Sequence, residues 1–352
     1  MILSGGRAER FQNVRATWQD KALVRLRGKP LLIHALENVS KVVEEIVICV
    51  NNENRKTQYS EVLEKYNFVN AKLLVDEPCN QIAGPIVGIL TGLMNIKADY
   101  CFTLPSDMPM LKPKIIDYMF SAAKDALVVV PMWPNGRLET LTMVFKMPET
   151  LEITKALCLL SRPRSDDIIR GALKILLIST VDEIRTYDPE LKSFININSQ
   201  EDLIKLQPRQ AQGSVAGSLH LNLDDPPILE IRFLQKAASL FNEGEFSEAA
   251  DAFSTSASKL EKENSYFWAG ICRENEGKSL LSLLKHQTKR ESAIKQKMIG
   301  KKALLKAAFN YGCEAEIYEN RNCIFLAERA RSNKKWCESV VNNLEGQKDL
   351  LY

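Results

Sequence analysis

The segment ILSGGRAERFQNVRATWQDKALV, residues 2–24, decides how the N-terminal half of the chain is interpreted. A strand-like start runs into Gly5 and Gly6, and Arg7, Arg10 and Lys21 follow. Glycines after a strand let backbone N–H groups approach an anion closely, and the basic side chains could add positive charge. The segment matches neither the P-loop nor the dinucleotide-binding pattern. Taken alone, it fits a phosphate-binding loop and a charged surface turn equally well.

The composition is typical of a globular protein. The 352 residues are enough for two or three domains, and 45% are hydrophobic and 26% charged. A net charge of +3 gives no indication of nucleic-acid or membrane binding. The sequence has no apolar run long enough for a membrane span and no signal-peptide pattern, so we expect a cytoplasmic protein. The eight cysteines include no CxxC pair, which favours reduced thiols over a disulfide framework.

Short apolar runs alternate with helical patterns over residues 1–206. The predicted strands are residues 1–4, 45–50, 71–75, 100–104, 126–131, 141–146, 174–179 and 193–197. Several are continuously apolar, as in EIVICV and ALVVVP, which is typical of strands covered on both faces. Helical patterns lie between them. This alternation predicts a mostly parallel, three-layer α/β domain.

The C-terminal part of the chain differs in composition and in the spacing of its apolar residues. Residues 207–227 are rich in Gln, Gly, Ser and Pro and are predicted to form a linker. Residues 228–352 have helical spacing and few strand signals, which predicts an all-helical domain. The segment LFNEGEFSEAADAF resembles tetratricopeptide-like helical hairpins, although the full repeat pattern is absent.

Two aspartates follow predicted strands. Asp107 comes after the strand 100–104, and Asp76 comes after the strand 71–75. Open α/β proteins bind ligands at the carboxyl edge of the sheet, where a carboxylate can hold a Mg²⁺ that bridges phosphate oxygens. Asp107 could instead cap the turn before the next helix, and Asp76 could belong to an ordinary loop.

Two further pairs of residues are candidates for ligand contacts. Gly84 and Pro85 open a predicted helix, where proline at the first position is common in any protein. Asn196 and Asn198 alternate along the predicted strand 193–197, which places both amides on one face. Amides that point the same way suit sugar or phosphate ligands, although Asn198 could simply cap the following helix.

The order of these features resembles the molybdenum cofactor guanylyltransferase family, a MobA-like group within the nucleotidyltransferases of Rossmann-like fold. The family's Leu-x-Gly-Gly-x-x-x-Arg loop and lysine appear here as LSGGRAER and Lys21. Its Gly-x-Pro-Leu appears as GKPL, and its Asp…Gly-Pro-Leu-x-Gly appears as Asp76 followed by GPIVG. Its metal-binding Asp-x-Pro resembles DMP, beginning at Asp107, and its later motifs resemble GRLETL and NINSQEDL. The match spans nearly all of residues 1–206 and none of the C-terminal part.

The resemblance implies transfer of GMP from GTP to the phosphate of a molybdopterin-type cofactor, with Mg²⁺ as cofactor and diphosphate as the second product. It implies catalytic roles for Arg10, Lys21 and Asp107, with Asp107 as the metal ligand. Such a reaction needs positioning and charge neutralisation more than a protein nucleophile. The nucleotide and acceptor residues that it implies are Leu3, Ser4, Gly5, Gly6, Lys21, Asn51, Asp76, Gly84, Pro85, Asn196 and Asn198.

The sequence departs from the family pattern in the first loop. Gln12 stands where the family has glycine, and the distance from Arg10 to Lys21 is longer by about five residues, an insertion that costs little closure entropy. The first strand begins at Met1, so we expect either that this strand is short or that the true start lies upstream. Two alternatives stay open. One is another phosphorylated acceptor, such as cobinamide phosphate, a phospho-hydroxy acid or a sugar phosphate. The other is a decayed nucleotide-binding domain that carries a helical interaction module.

The C-terminal part offers a candidate surface for a protein partner and a weaker one for nucleic acid. Residues 285–306 are strongly basic, with Glu291 as the single acidic residue. Few aromatic residues interrupt this run, so base stacking is disfavoured and a solvated helix face is the better interpretation. The three histidines are isolated in the sequence and indicate no metal cluster.

Overall fold

The computed structural model describes residues 1–6, 20–77, 79, 82–207, 213, 217–284 and 290–346. The chain divides into two units, the first comprising residues 1–154 and 161–223 and the second residues 155–160 and 224–352. The division at residue 223 falls inside the segment 207–227, which we predicted to be a linker. Within the described ranges, no helix combines the length and the apolar character needed to cross a membrane.

The first unit is built on an eight-stranded sheet with a small two-stranded ribbon beside it. The strands are β1 (Ile2–Ser4), β2 (Arg25–Leu26), β3 (Lys29–Pro30), β4 (Val47–Val50), β5 (Lys72–Val75), β6 (Tyr100–Pro105), β7 (Val128–Met132), β8 (Met143–Lys146), β9 (Lys174–Ser179) and β10 (Leu219–Asn222). The order in the large sheet is β10-β9-β7-β8-β6-β1-β4-β5. Only β8 and β10 run against the other six strands of this sheet, because their pairings with β6, β7 and β9 are antiparallel. This confirms the predicted mostly parallel α/β fold.

Helices connect the strands of the first unit. The α-helices are α1 (Leu31–Val39), α2 (Glu53–Lys65), α3 (Pro85–Asn95), α4 (Pro113–Ala122), α5 (Glu149–Leu159), α6 (Asp166–Ala172), α7 (Arg185–Tyr187) and α8 (Gln200–Lys205). From residue 155 onward, α5 is counted with the second unit. Shorter 3-10 turns cover Lys21–Leu23, Ala123–Asp125 and Lys192–Phe194, and Thr180–Ile184 is a π-helical turn. Both α3 and α4 begin with proline, whose missing N–H costs nothing in the first turn.

The core of the first unit explains why the central strands are continuously apolar. All four residues of β4 are buried, and β4 pairs in parallel with β1 on one side and β5 on the other. Apolar faces of α1 and α4 pack into the same hydrophobic cluster as Ile2, Ile48 and Leu104. Burial on both faces removes the alternation of polar and apolar residues that a half-exposed strand would show.

Two segments differ from the sequence-based expectation. The predicted strand over residues 193–197 is wrong, because Lys192–Phe194 forms a 3-10 turn. The carboxylate of Asp188 accepts a hydrogen bond of 2.7 Å from the backbone N–H of Ser193, and Leu191 has a left-handed φ of 51°. Inside the segment predicted as a linker, β10 pairs with β9 along four residues and adds an edge strand to the sheet.

The second unit is helical, which confirms the predicted all-α character of the C-terminal part. Its helices are α9 (Ile228–Glu243), α10 (Phe246–Lys262), α11 (Tyr266–Leu283), α12 (Arg290–Glu319) and α13 (Ile324–Gly346). Each helix packs against the next along the chain. The interior contains charge as well as apolar side chains, since buried Arg273 pairs with Glu261 and Glu276. The tetratricopeptide-like interpretation stays a prediction.

Candidate active site

A cavity of about 790 Å³ lies where β1, β4, β5 and β6 end at their carboxyl edge. It is in the position where open parallel sheets bind their ligands. Its walls comprise Leu3, Ser4, Gly5, Gly6, Asp20, Lys21, Ala22, Cys49, Asn51, Arg55, Asp76, Ile82, Ala83, Gly84, Pro85, Val87, Gly88, Pro105, Ser106, Asp107, Leu141 and Asn198. The volume is adequate for a nucleotide-sized ligand.

Most of the residues proposed from the sequence come together in this cavity. Leu141, from the GRLETL stretch, also lies in its wall. The proposed residues that line it are Leu3, Ser4, Gly5, Gly6, Lys21, Asn51, Asp76, Gly84, Pro85, Asp107 and Asn198. Asn196 does not line the cavity, since the segment that carries it is not the strand that we predicted. Arg10 and Gln12 lie outside the described residues.

Lys21 connects two of the proposed site residues. Its ammonium group forms an ion pair with Asp107 Oδ2 and donates a hydrogen bond of 2.6 Å to Asn198 Oδ1. The side chains of Lys21 and Asp107 are 16% and 20% exposed, so a ligand in the cavity can reach both. The backbone also joins these elements, because the N–H of Ile197 donates to the carbonyl oxygen of Asp107 at 2.9 Å.

The local sequence explains how Lys21 is presented to the cavity. Asp20 caps the 3-10 turn Lys21–Leu23, and its Oδ1 accepts a hydrogen bond of 3.0 Å from the N–H of Ala22. Aspartate is favoured at such a cap because its carboxylate satisfies a backbone donor that the turn leaves open. The cap from Asp20 therefore fixes the start of the turn, and Lys21 is the first residue of that turn.

Two carboxylate oxygens in the cavity wall have neither a hydrogen bond nor an ion pair in the described structure. Asp76 Oδ1 and Asp107 Oδ1 are buried and have no hydrogen-bond partner in the described part of the protein. Buried carboxylate oxygens without partners carry a large desolvation cost, which a cation would offset. Mg²⁺ commonly takes only one or two carboxylates and completes its shell with water and substrate phosphates. Asp107 therefore fits the metal ligand that the resemblance implies, although the described ranges hold no cluster of three or more His, Cys, Asp or Glu side chains suited to a metal.

Asp76 is held in a tight apolar and glycine-rich corner. A Cβ on Gly5 would lie 3.4 Å from its Oδ2, and a Cβ on Gly88 would lie 3.3 Å from its Oδ1. Burial raises the pKa of Asp76 from 3.8 to about 6, and attraction to the Arg55 guanidinium opposes this rise. The same burial, with Asp76 nearby, raises the pKa of the Cys49 thiol to about 12.

The start of α3 faces this corner. Gly84 has a φ of 149°, and a Cβ at this position would lie 2.7 Å from the carbonyl oxygen of Pro163. Only glycine fits both the backbone angle and the close contact. Because Gly84 and Pro85 stand at the N-terminus of an eleven-residue helix, the cavity receives the positive end of the α3 dipole.

Comparison with known proteins identifies the family. A family model described as the MobA-like NTP transferase domain matches residues 1–171. A probable molybdenum cofactor guanylyltransferase from Methanosarcina acetivorans is 32% identical over 224 residues, which cover 63% of this chain and 92% of that relative. The chain belongs to the MobA-like NTP transferase family. It is a nucleotidyltransferase, as its resemblance to that group predicted.

Two further relatives show similar coverage. A probable molybdenum cofactor guanylyltransferase from Methanosarcina mazei is 31% identical, over 58% of this chain and 87% of the relative. A molybdenum cofactor guanylyltransferase from Shewanella putrefaciens is 28% identical, over 57% of this chain and 92% of the relative. Each alignment thus includes nearly the whole relative and leaves more than a third of this chain unmatched.

One group of site residues in this MobA-like domain was not predicted from the sequence. Arg55 and Tyr59 on α2, Asp20 before the 3-10 turn and Ser106 after β6 form a buried polar network beside the cavity. The Tyr59 hydroxyl is 2.6 Å from Ser4 Oγ, and Ser4 Oγ is 2.9 Å from Ser106 Oγ. Nothing in the sequence indicated this network, because α2 has polar or charged residues around most of its surface. Such a helix is normally exposed to solvent.

Proposed function

We propose that the N-terminal unit transfers GMP from GTP to the terminal phosphate of a molybdopterin-type cofactor and releases diphosphate. The names of the relatives support this substrate pair, and the observation that carries the chemistry is the contact of Lys21 with both Asp107 and Asn198 in the cavity. In this reaction an acceptor phosphate oxygen forms a bond to the α-phosphorus of GTP. The bond from that phosphorus to the oxygen of the β-phosphate breaks, and both electrons of that bond leave with diphosphate.

Lys21 would carry the main protein charge in this step. In-line attack at phosphorus places negative charge on the non-bridging and leaving oxygens, and a fixed ammonium group stabilises that charge. Asn198 accepts a hydrogen bond from Lys21, so it would hold the ammonium group when Asp107 takes another partner. The N–H groups of the loop at Gly5 and Gly6 and the start of α3 would bind nucleotide oxygens.

Asp107 would hold Mg²⁺ through the oxygen that has no hydrogen-bond partner in the described structure. When bound, the ion would supply positive charge that neutralises the phosphates. Asp76 would help to position the nucleotide from the opposite wall of the cavity. We further propose that the protein works in the cytoplasm, since no disulfide joins its eight cysteines in the described structure, and that the helical unit binds a protein partner.

A direct assay tests this proposal. Full-length protein is incubated with Mg²⁺, labelled GTP and molybdopterin, and the dinucleotide and diphosphate are measured. Lys21→Ala and Asp107→Ala should each lower kcat/KM by about a hundredfold or more, because each removes a charge fixed at the reacting phosphates. Lys29→Ala and Asp125→Ala are matched controls, since both residues are exposed and lie outside the cavity.

The outcomes separate the proposal from its alternatives. Product with cobinamide phosphate, a phospho-hydroxy acid or a sugar phosphate, and none with molybdopterin, would replace the proposed acceptor. GTP binding without product from any acceptor would favour a decayed enzyme. Equal activity in the Lys21 and Asp107 variants and their controls would refute the assignment of the site.

A further inference from the structure

Arg55 is almost fully buried beside the cavity, with 4% of its surface exposed. A guanidinium group stays charged at any accessible pH, so its burial requires several hydrogen-bond or ionic partners. Arg55 lies on the first turns of α2, and its neighbours along the helix are mostly polar and exposed. The contacts of this one side chain therefore need a structural explanation.

The first set of contacts is with the backbone of the glycine loop. Arg55 Nη1 donates to the carbonyl oxygen of Ser4 at 2.9 Å, and Nη2 donates to the carbonyl oxygen of Gly6 at 2.8 Å. These two carbonyls flank Gly5, whose peptide forms the wall of the cavity. A carbonyl oxygen directed at a phosphate would repel it. By binding both carbonyls, the guanidinium satisfies two oxygens that would otherwise be free to face a bound phosphate.

The second set of contacts reaches the segment that carries Lys21. Arg55 Nε lies 2.7 Å from Asp20 Oδ2 in a buried ion pair. The other oxygen of Asp20 caps the turn that begins with Lys21 and also accepts a hydrogen bond of 3.1 Å from Tyr59. Through Asp20, the guanidinium fixes the position from which Lys21 enters the cavity.

We propose that Arg55 is a positioning residue that holds the nucleotide loop and the Lys21 turn in one geometry. This inference rests on the proposed function, because it assigns Arg55 to the same reaction. The planar fork of arginine is essential to the role, since its nitrogens reach Ser4, Gly6 and Asp20 at the same time. A lysine ammonium group keeps the charge but cannot meet all three partners in one plane.

The test compares Arg55→Lys with Arg25→Lys in the full-length protein. Arg25 is exposed, and among the residues that the structure describes its guanidinium donates one hydrogen bond, to the backbone carbonyl of Gly28. Binding of each Mg²⁺-nucleoside triphosphate is measured by calorimetry without an acceptor, and unfolding is measured separately. Arg55→Lys should weaken GTP binding by about tenfold or more, since two charge-assisted hydrogen bonds to the loop lose their geometry. Arg25→Lys should bind GTP as the wild-type protein does.

A second variant covers the case in which Arg55→Lys fails to fold. Asp20→Asn keeps an oxygen that can cap the Lys21 turn but removes the charge that pairs with Arg55. It should lower kcat more than it raises KM, because the loop carbonyls keep their partner while Lys21 loses its fixed position. If both variants fold, the Arg55→Lys, Asp20→Asn double variant is also made. Its fold loss of kcat/KM should be smaller than the product of the two single losses, because both substitutions disrupt the same ion pair.

Each outcome decides one question. A folded Arg55→Lys protein with the wild-type dissociation constant and a lower melting temperature would overturn the positioning role and leave only a structural one. If the wild-type protein binds another nucleoside triphosphate more tightly than GTP, the proposed substrate is overturned. The comparison of Arg55→Lys with Arg25→Lys is then made with that nucleotide. Failure of the wild-type protein to bind any nucleoside triphosphate would overturn both.

Discussion

Replacing Asp76 with asparagine should change how the stability of the N-terminal unit depends on pH. Burial raises the pKa of Asp76 from 3.8 to about 6 in the folded chain. Between about pH 4 and pH 6 the folded chain therefore binds more protons at this site than the unfolded chain. The free energy of unfolding must fall as the pH rises through this range. Asp76→Asn removes the ionisable group, so the free energy of unfolding of the variant should fall less over this pH range.

The size of the effect follows from the same pKa. Each tenfold change in an acid constant corresponds to about 1.4 kcal/mol, so a rise from 3.8 to about 6 sets an upper limit of about 3 kcal/mol. Asp76 is only partly buried, and solvent screening reduces the expected value to about 1–2 kcal/mol. Relative to the wild-type protein, Asp76→Asn should thus gain about 1–2 kcal/mol of stability between pH 4 and pH 7.

Two measurements check this prediction. The carboxyl carbon of Asp76, assigned by its absence in the variant, is titrated by NMR in the ligand-free protein. Urea unfolding at several pH values is followed by pulsed hydrogen exchange of β4, so that the second unit does not contribute. Asp125→Asn, at an exposed position, is the control. A titration midpoint of Asp76 near 4, or equal pH dependence of stability in the wild-type and Asp76→Asn proteins, would contradict this prediction.

Three further substitutions or labelling results are expected. Gly84→Ala should lower the stability of the first unit by about 1–3 kcal/mol in urea unfolding, because φ is 149° there. Gly270→Ala should lower the melting temperature of the helical unit, since its Cβ would lie 2.7 Å from the Tyr311 ring, whereas Gly312→Ala has room and should raise it slightly. Cys49, whose pKa burial raises to about 12, should resist iodoacetamide at pH 8 until the protein unfolds, as read by mass spectrometry.

Much of the fold was predictable because the central strands are buried on both faces. The predicted strand at residues 45–50 contains β4, and the one at residues 174–179 coincides with β9. Continuous apolar runs of this length are easily recognised, and the helices between them have clear amphipathic spacing. β10 was not predicted, because it is an edge strand with alternating exposure inside a sequence rich in linker-like residues.

The candidate site was predictable where its residues follow parallel strands directly. Asp76 and Asp107 come after β5 and β6, and parallel strands bring their carboxyl ends to one edge of the sheet. Asn196 and Asn198 illustrate the limit. Their alternation indicated a shared face only if the segment was a strand, and the cap from Asp188 folds it into a turn that leaves only Asn198 in the cavity wall.

Arg55 shows why the remaining part of the site could not be read from the sequence. Its helix is polar, and helical periodicity places it among side chains that normally face water. It is buried because it contacts Ser4 and Gly6, about fifty positions earlier in the chain, and a spacing pattern within one helix contains no information about such partners. The conformation of the glycine loop could not be predicted either, since its two glycines permit many backbone conformations. A motif that consists of flexible residues can therefore be recognised in the sequence, while the side chain that gives it one geometry is found only in the folded structure.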